Sequence, residues 1–213
     1  MYAWAEKASY DTASREASVV SHHTIHDMYQ RCREVVGSVF LQHQEQRGQI
    51  GGPGIIVQID ESKFGRRKYE RGRVIEGHWV IGMIADGSQD LRLEICPENS
   101  RTRETLWPLI QRHVATGSII RTDGWPPYQG LGSLGYVHQW VNHSVECVSA
   151  EGVHTQRIEA SWRPVKNFFR DRQVPEEDIA DHVVEYQWRR WCRHNGVHPF
   201  ESLLNAIREA FPV

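Results

Sequence analysis

The 213-residue sequence predicts an α/β fold preceded by a small helical segment, and three observations carry that prediction. Short β-branched runs and amphipathic stretches alternate as three strands, helix, strand, helix, strand and then helices, which is a layered α/β order. Residues 1–45 instead place apolar residues at three- and four-residue spacing, with no strand-like alternation. The composition, 39% hydrophobic and 24% charged, supplies one good-sized core.

Each element has its own signal. Helices are expected at 1–7, 12–17 and 24–36; the last carries Ile25, Met28 and Tyr29 behind Ser21, a candidate N-cap. Three helices with short joints suit a partial helix-turn-helix whose last helix enters a DNA groove. They equally suit a plain helical cap on a larger core. Residues 46–54, rich in glycine and carrying Pro53, read as a linker. Strands follow at 55–59, 78–85 and 91–96, with a turn at 85–88. A helix at 100–113 aligns Leu106, Leu109, Ile110 and His113. A strand at 118–122, a loop and helix, and a strand at 136–141 come next, and helices near 156–170 and 176–194 finish the domain. The resulting division is 1–45 helical DNA-binding segment, 46–54 linker and 55–213 main domain.

Composition excludes several classes. No apolar run approaches the roughly 20 residues that a membrane helix needs. Glu6 and Lys7 interrupt any secretory h-region. Cys32, Cys96, Cys147 and Cys192 form no CxxC pair, so reduced, buried thiols in an intracellular protein are expected (nuclear in a eukaryotic source). His22 and His26 have i, i+4 spacing, with His23 beside them, but without an evident third ligand they read as solvated positions rather than a zinc site. The formal net charge of −2 hides opposed patches. Lys63, Arg66, Arg67, Lys68, Arg71 and Arg73 face only Glu70 within 63–73, whereas 171–185 is strongly acidic.

Asp60 directly follows the apolar run 55–59, and Asp123 follows 118–122. The ends of neighbouring strands are where open α/β sheets bind ligands, and strands about 4.8 Å apart let two carboxylates share divalent cations. Either acid alone is also an ordinary turn residue. In the helix at 156–170, Ile158, Trp162, Val165 and Phe169 form an apolar stripe, with Glu159, Arg163, Lys166 and Arg170 on the neighbouring face. One carboxylate with three cations suits a metal beside a phosphate backbone. The basic run with Phe64 and Tyr69 interleaved reads as a DNA-phosphate contact, or as a solvated hairpin or nuclear-import signal. Trp188, Arg189, Arg190 and Trp191 read as a packed helix face rather than a second DNA surface.

Taken together, Asp60, Asp123 and Glu159, with 35 residues between the last two and Lys166 seven beyond, resemble the acidic triad of DDE transposases and integrases. The segment from Gln58 through Asp60, Phe64 and Tyr69 to Arg73, followed by His78-Trp79-Val80-Ile81-Gly82, resembles the first block of Merlin-type transposases. Asp123-Gly124-Trp125 with Tyr128, Gly135-Tyr136 and Val141-Asn142-His143-Ser144 resembles the second. His154-Thr155-Gln156-Arg157-Ile158-Glu159 with Trp162 resembles the third, and residues 24–36 resemble the preceding helix-turn-helix.

The resemblance implies an RNase H-like core, a central mixed sheet flanked by helices. It implies phosphodiester cleavage and strand transfer of a mobile element, with two Mg²⁺ ions (Mn²⁺ substituting) held by Asp60, Asp123 and Glu159. Asp60 would bridge both ions. Double-stranded DNA, both element ends and target, would be the partner, bound by a homo-oligomer. Pro164, five residues past Glu159, departs from the family pattern; the helix is expected to begin near Ser161 or to kink. Two other readings stand beside this one: a catalytically inactive, transposase-derived DNA-binding protein, and a nuclease of the same fold without strand transfer.

Overall fold

The structure, a computed structural model, describes residues 1–18, 21–64, 77–141, 154–170 and 174–212. In chain order it contains α1 (Tyr2–Ala5), α2 (Tyr10–Ala17), α3 (His22–Gln46), β1 (Ile56–Phe64), β2 (His78–Ala85) and β3 (Leu91–Ile95). Then come α4 (Arg103–His113), β4 (Ile119–Asp123), β5 (Val137–Val141), α5 (Gln156–Arg170), α6 (Ile179–His194) and α7 (Pro199–Ala210). Two compact units result: residues 48–180, and residues 1–47 together with 181–213.

The sheet of the first unit runs β3-β2-β1-β4-β5. β1, β2 and β3 form an antiparallel meander, and β4 and β5 join in parallel. A three-strand meander extended by two parallel strands, with helical connections, is the RNase H-like arrangement. One face of the sheet packs Val57, Ile59, Ile81, Met83 and Ile120 against Leu106, Leu109 and Ile110 of α4. The other face receives α5, whose Trp162 ring meets Phe64 at 5.9 Å. Ile158, Trp162 and Val165 of the expected stripe are buried, and Phe168 is buried more deeply than Phe169.

Four local expectations change, the first being that the helix expected at 24–36 runs from His22 to Gln46. β1 does not stop before Asp60 but continues to Phe64, because residues 60–64 pair with 78–82 of β2 and Ser62 and Phe64 are buried. Helix α5 begins at Gln156 and runs continuously through Pro164, so Glu159 lies in its first turn. The Ala160 carbonyl that loses its donor to Pro164 belongs to an exposed residue, where water can satisfy it. The stretch before β5 forms two 3₁₀ turns, Pro126–Tyr128 and Leu131–Leu134, rather than a helix.

The domain division also differs from the expected one. Residues 48–54 belong to the sheet unit: Ile50–Gly51 pairs in parallel with Val114–Ala115, and the Gly52 N–H donates to Ser118 Oγ at 2.8 Å. Residues 181–213 group with the N-terminal helices. The sequence reading overlooked α7, whose Leu203 and Ala206 share a core with Trp4, Tyr29, Val36 and Phe40. In the same unit the Trp4 and Trp188 rings stack at 5.3 Å, and the Arg189 guanidinium donates to the Trp4 and Ala5 carbonyls, both at 2.8 Å. Trp188 and Arg189 are packed, as expected for a helix face inside a core.

His22, His23 and His26 each approach a surface carboxylate. Asp27 supplies the third candidate ligand that spacing alone did not show, its oxygen and the nitrogens of His23 and His26 all lying within 4.8 Å of one another. His22 meets Asp11 at 3.0 Å, whereas His23 and His26 both approach Asp27, at 3.1 and 3.5 Å. Cys32, Cys96 and Cys192 are buried free thiols, and Cys147 lies outside the described residues. Among the described residues no helix is long and apolar enough to cross a membrane.

Candidate active site

Asp60, Asp123 and Glu159 come together. With Thr155 they line one cleft of about 350 Å³. β1 and β4 pair in parallel only from Ile56↔Ile119 to Gln58↔Arg121. Two residues beyond that last pair lie Asp60 and Asp123, so both acids stand where the parallel ladder ends. Strand-end placement therefore holds for Asp60 with respect to β4, although β1 itself runs on.

Each acid is held by a different device. Trp162 Nε1, on α5, donates to Asp60 Oδ2 at 2.7 Å. The Trp125 N–H donates to Asp123 Oδ1 at 3.1 Å, closing an Asx-type turn just after β4. Thr155 Oγ1 donates to Glu159 Oε1 at 2.5 Å, and the Glu159 N–H donates to the Thr155 carbonyl at 3.1 Å. Trp162 lies close to the sheet because Gly82 stands opposite Asp60 in β2. A Cβ at Gly82 would meet the Trp162 ring at 2.8 Å.

Burial pushes the Asp60 carboxyl above its ordinary range, and the negative Asp123 and Glu159 push the same way. The Trp162 indole and the Glu61 N–H oppose them without prevailing. Adjacent strand residues point to opposite faces, so Glu61 enters the other side of the sheet, where its side chain is 4% exposed. It accepts a hydrogen bond from Tyr128 Oη and lies 3.7 Å from Arg101 Nη1. The Arg101 guanidinium is stacked between Trp79 (3.5 Å) and Trp125 (4.3 Å). Burial, and then the charges of Asp60 and Asp123, push Glu61 up to about 8 against the pull of Arg101.

Hard carboxylate oxygens grouped in one cleft are the donor set that Mg²⁺ and Mn²⁺ prefer. An acid disfavoured as an anion by burial and by its own neighbours is also one that a cation would stabilise. The residues present fit a divalent-ion site.

The basic residues divide. Arg163 and Lys166 are exposed on α5, on the same side as Glu159. Lys63 lies on the opposite face from Asp60, its ammonium 5.6 Å from the Trp79 ring centre. Arg66, Arg67, Lys68, Arg71 and Arg73 lie outside the described residues. Sequence reasoning gave no role to Glu61 or Trp125 and no holding part to Thr155 or Trp162. The local signal was there for Thr155, four residues before Glu159 at a helix start, but Trp162 reads from sequence only as part of an apolar stripe.

Sheet order and acidic cleft together define an RNase H-like protein with a carboxylate triad. The ISXO2-like transposase domain model matches residues 49–189, and the chain belongs to that family. Merlin-type resemblance and family model agree on an insertion-sequence-like transposase.

Among solved structures the chain is similar to one in the simian T-cell lymphotropic virus intasome in complex with PP2A regulatory subunit B56 gamma. That match has 18% identity and a TM-score of 0.39, and it covers 67% of this chain and 51% of the other, about half its length. The catalytic core domain of BIV integrase is similar at 12% identity and a TM-score of 0.43, over 73% of this chain and 97% of that one. No curated protein sequence matches the chain.

Proposed function

We propose that this transposase-family chain cleaves DNA phosphodiester bonds and transfers the freed strand, using Asp60, Asp123 and Glu159 to hold two divalent ions. One observation carries the proposal: three acids from β1, β4 and α5 share a cleft in which Asp60 is unfavourable as a bare anion. Divalent ions held by Asp60, Asp123 and Glu159 would supply activation of the attacking oxygen and stabilisation of the leaving oxygen in an in-line displacement at phosphorus.

The chain's own part is placement. Trp162 fixes one Asp60 oxygen, while Trp125 and Thr155 restrict Asp123 and Glu159. Arg163 and Lys166, one and two turns beyond Glu159, would receive the phosphate backbone, with the basic run 63–73 as a second contact. Residues 1–45 would contact DNA as well, and the chain would act as a homo-oligomer on paired DNA ends.

The reading is tested with DNA carrying the element ends, Mg²⁺ or Mn²⁺, and wild-type, Asp60→Asn and Asp123→Asn proteins. Wild type is expected to nick the DNA and join the 3′ end to a target, and both variants to do neither. Cleavage without joining would reassign the chain as a nuclease. Full activity in either variant would remove that acid from the site, and DNA binding without ion binding would make it a non-catalytic descendant.

A further inference from the structure

We infer that Gln58 is a positioning residue that fixes the helix bearing Glu159 in register with the strand bearing Asp60. The inference rests on the transposase reading above and adds to it a residue that touches neither ion nor DNA. Gln58 lies two positions before Asp60 on the same face of β1 and is completely buried. A buried primary amide is costly unless its polar atoms find partners. Here Oε1 accepts from the Arg157 N–H at 3.0 Å and the Ile158 N–H at 3.3 Å. These are two of the first-turn donors that a helix cannot satisfy internally. Nε2 donates to Asp86 Oδ1 at 3.0 Å, and the Asp86 N–H in turn donates to the Ile56 carbonyl of β1 at 2.8 Å. The Arg157 guanidinium adds a bond to the Ser88 carbonyl in the turn after β2.

A helix is ordinarily capped by the residue just before it. In α5 a sheet side chain some 100 positions earlier supplies the acceptor. The capped amide of Ile158 immediately precedes Glu159. A continuous path therefore runs from Asp60 along two strand residues to the Gln58 amide, across to Ile158, and on to Glu159. The spacing of these two acids across the cleft is set by that path, and it governs how well one pair of ions is held by both.

The polarity of the Gln58–Asp86 bond supplies a test. Gln58→Leu removes the cap. Gln58→Glu keeps the acceptor but sets two carboxylates against each other. Adding Asp86→Asn reverses donor and acceptor and restores all three hydrogen bonds. Mn²⁺ affinity by calorimetry, cleavage at saturating DNA, DNA affinity and hydrogen exchange at Arg157 and Ile158 are measured for each. Gln58→Leu is expected to weaken Mn²⁺ binding by about 10-fold or more, as loss of a supporting group does elsewhere, with faster amide exchange and unchanged DNA affinity. Gln58→Glu should share the defect, and the double variant should recover ion binding, cleavage and protection.

Wild-type ion affinity and cleavage in a folded Gln58→Leu would overturn the inference. So would an equal defect in Gln58→Glu and the double variant, the comparison that decides if the leucine variant does not fold. Wild-type protein that neither binds Mn²⁺ nor cleaves DNA would overturn the transposase reading instead, and amide exchange would still report the cap.

Discussion

In the helical unit Glu185 is 1% exposed and lies between two guanidinium groups, Arg33 Nε at 2.9 Å and Arg189 Nε at 2.6 Å. Burial alone would raise its pKa, but Arg189 and Arg33 overturn that and hold it below the usual carboxylate range. In the sheet unit Asp60 and Glu61 are pushed upward, first by burial and then by other carboxylates. Among the described residues no Lys or Arg pairs with Asp60. The first unit compensates its buried charge with its own side chains, which is how a structural ion pair survives desolvation. The second, among the described residues, gathers acids with fewer cations beside them, which is the arrangement the proposed ion binding would relieve.

The largest effect that could break this contrast is expected at Glu185. Glu185→Ala leaves two buried guanidiniums uncompensated and should destabilise the helical unit by about 3–5 kcal/mol. Hydrogen exchange at α3 amides along a urea series would measure it. A loss under about 1 kcal/mol would show that the pair is not structural.

The next effect concerns pH, and the two units should respond with opposite sign. Glu61 rises from 4.5 to about 8, so between those values the folded state keeps a proton that the unfolded chain has released. Its contribution is complete below 4.5 and disappears as pH rises through about 8. At 1.36 kcal/mol per pK unit, and allowing for sharing with Asp60, the metal-free sheet unit should lose on the order of 3 kcal/mol across that window. Glu61→Gln should flatten the slope. Glu185, lowered instead, contributes above the ordinary carboxylate range, and its contribution is lost as pH falls through its folded pKa. Exchange at β1 and α3 amides across pH would separate the two.

Ion addition comes third. Mn²⁺ at about 100 times its Kd should stabilise the wild-type sheet unit by roughly 2.7 kcal/mol, and Asp60→Asn should cancel that gain. The smallest effect sharpens the contrast most. In EDTA, Asp60→Asn should stabilise the protein by about 1 kcal/mol, because it removes a buried charge while its side-chain oxygen still accepts from Trp162. A destabilised metal-free variant would place Asp60 in the same class as Glu185.

Much of the frame was legible because it is local. The continuous apolar run of β2 and the apolar stripe of α5 mark elements whose bounds the pattern reproduces at 78–85 and 156–170. The acids were legible as residue types at positions where sheets bind ligands. What holds them was not. Gln58 inside an apolar run carries no sign of partners at 157 and 158, and Glu61 beside Asp60 looks like a turn rather than a second face. The polar stretch after Asp60 concealed four further strand residues, which pairing with β2 supplies. Pro164 misled in the other direction, since the interior-proline rule weighs most where the orphaned carbonyl is shut off from water. α7 had its own signals, Pro199 at the first helical position and Leu203 and Ala206 at helical spacing, and its place in the core with Trp4 and Val36 depends on contacts far apart in sequence.

Gly82 acts as a depth gauge. An absent methyl group opposite Asp60 sets how far the Trp162 indole sinks onto the strands, and thereby how far the acids of β1 and α5 stand apart. Directed evolution that varied only the charged lining would leave that depth untouched. Gly82→Ala would push Trp162 and Ile158 away from β2 and carry Glu159 with them, so under the proposed function it would change ion binding with all three acids still in place.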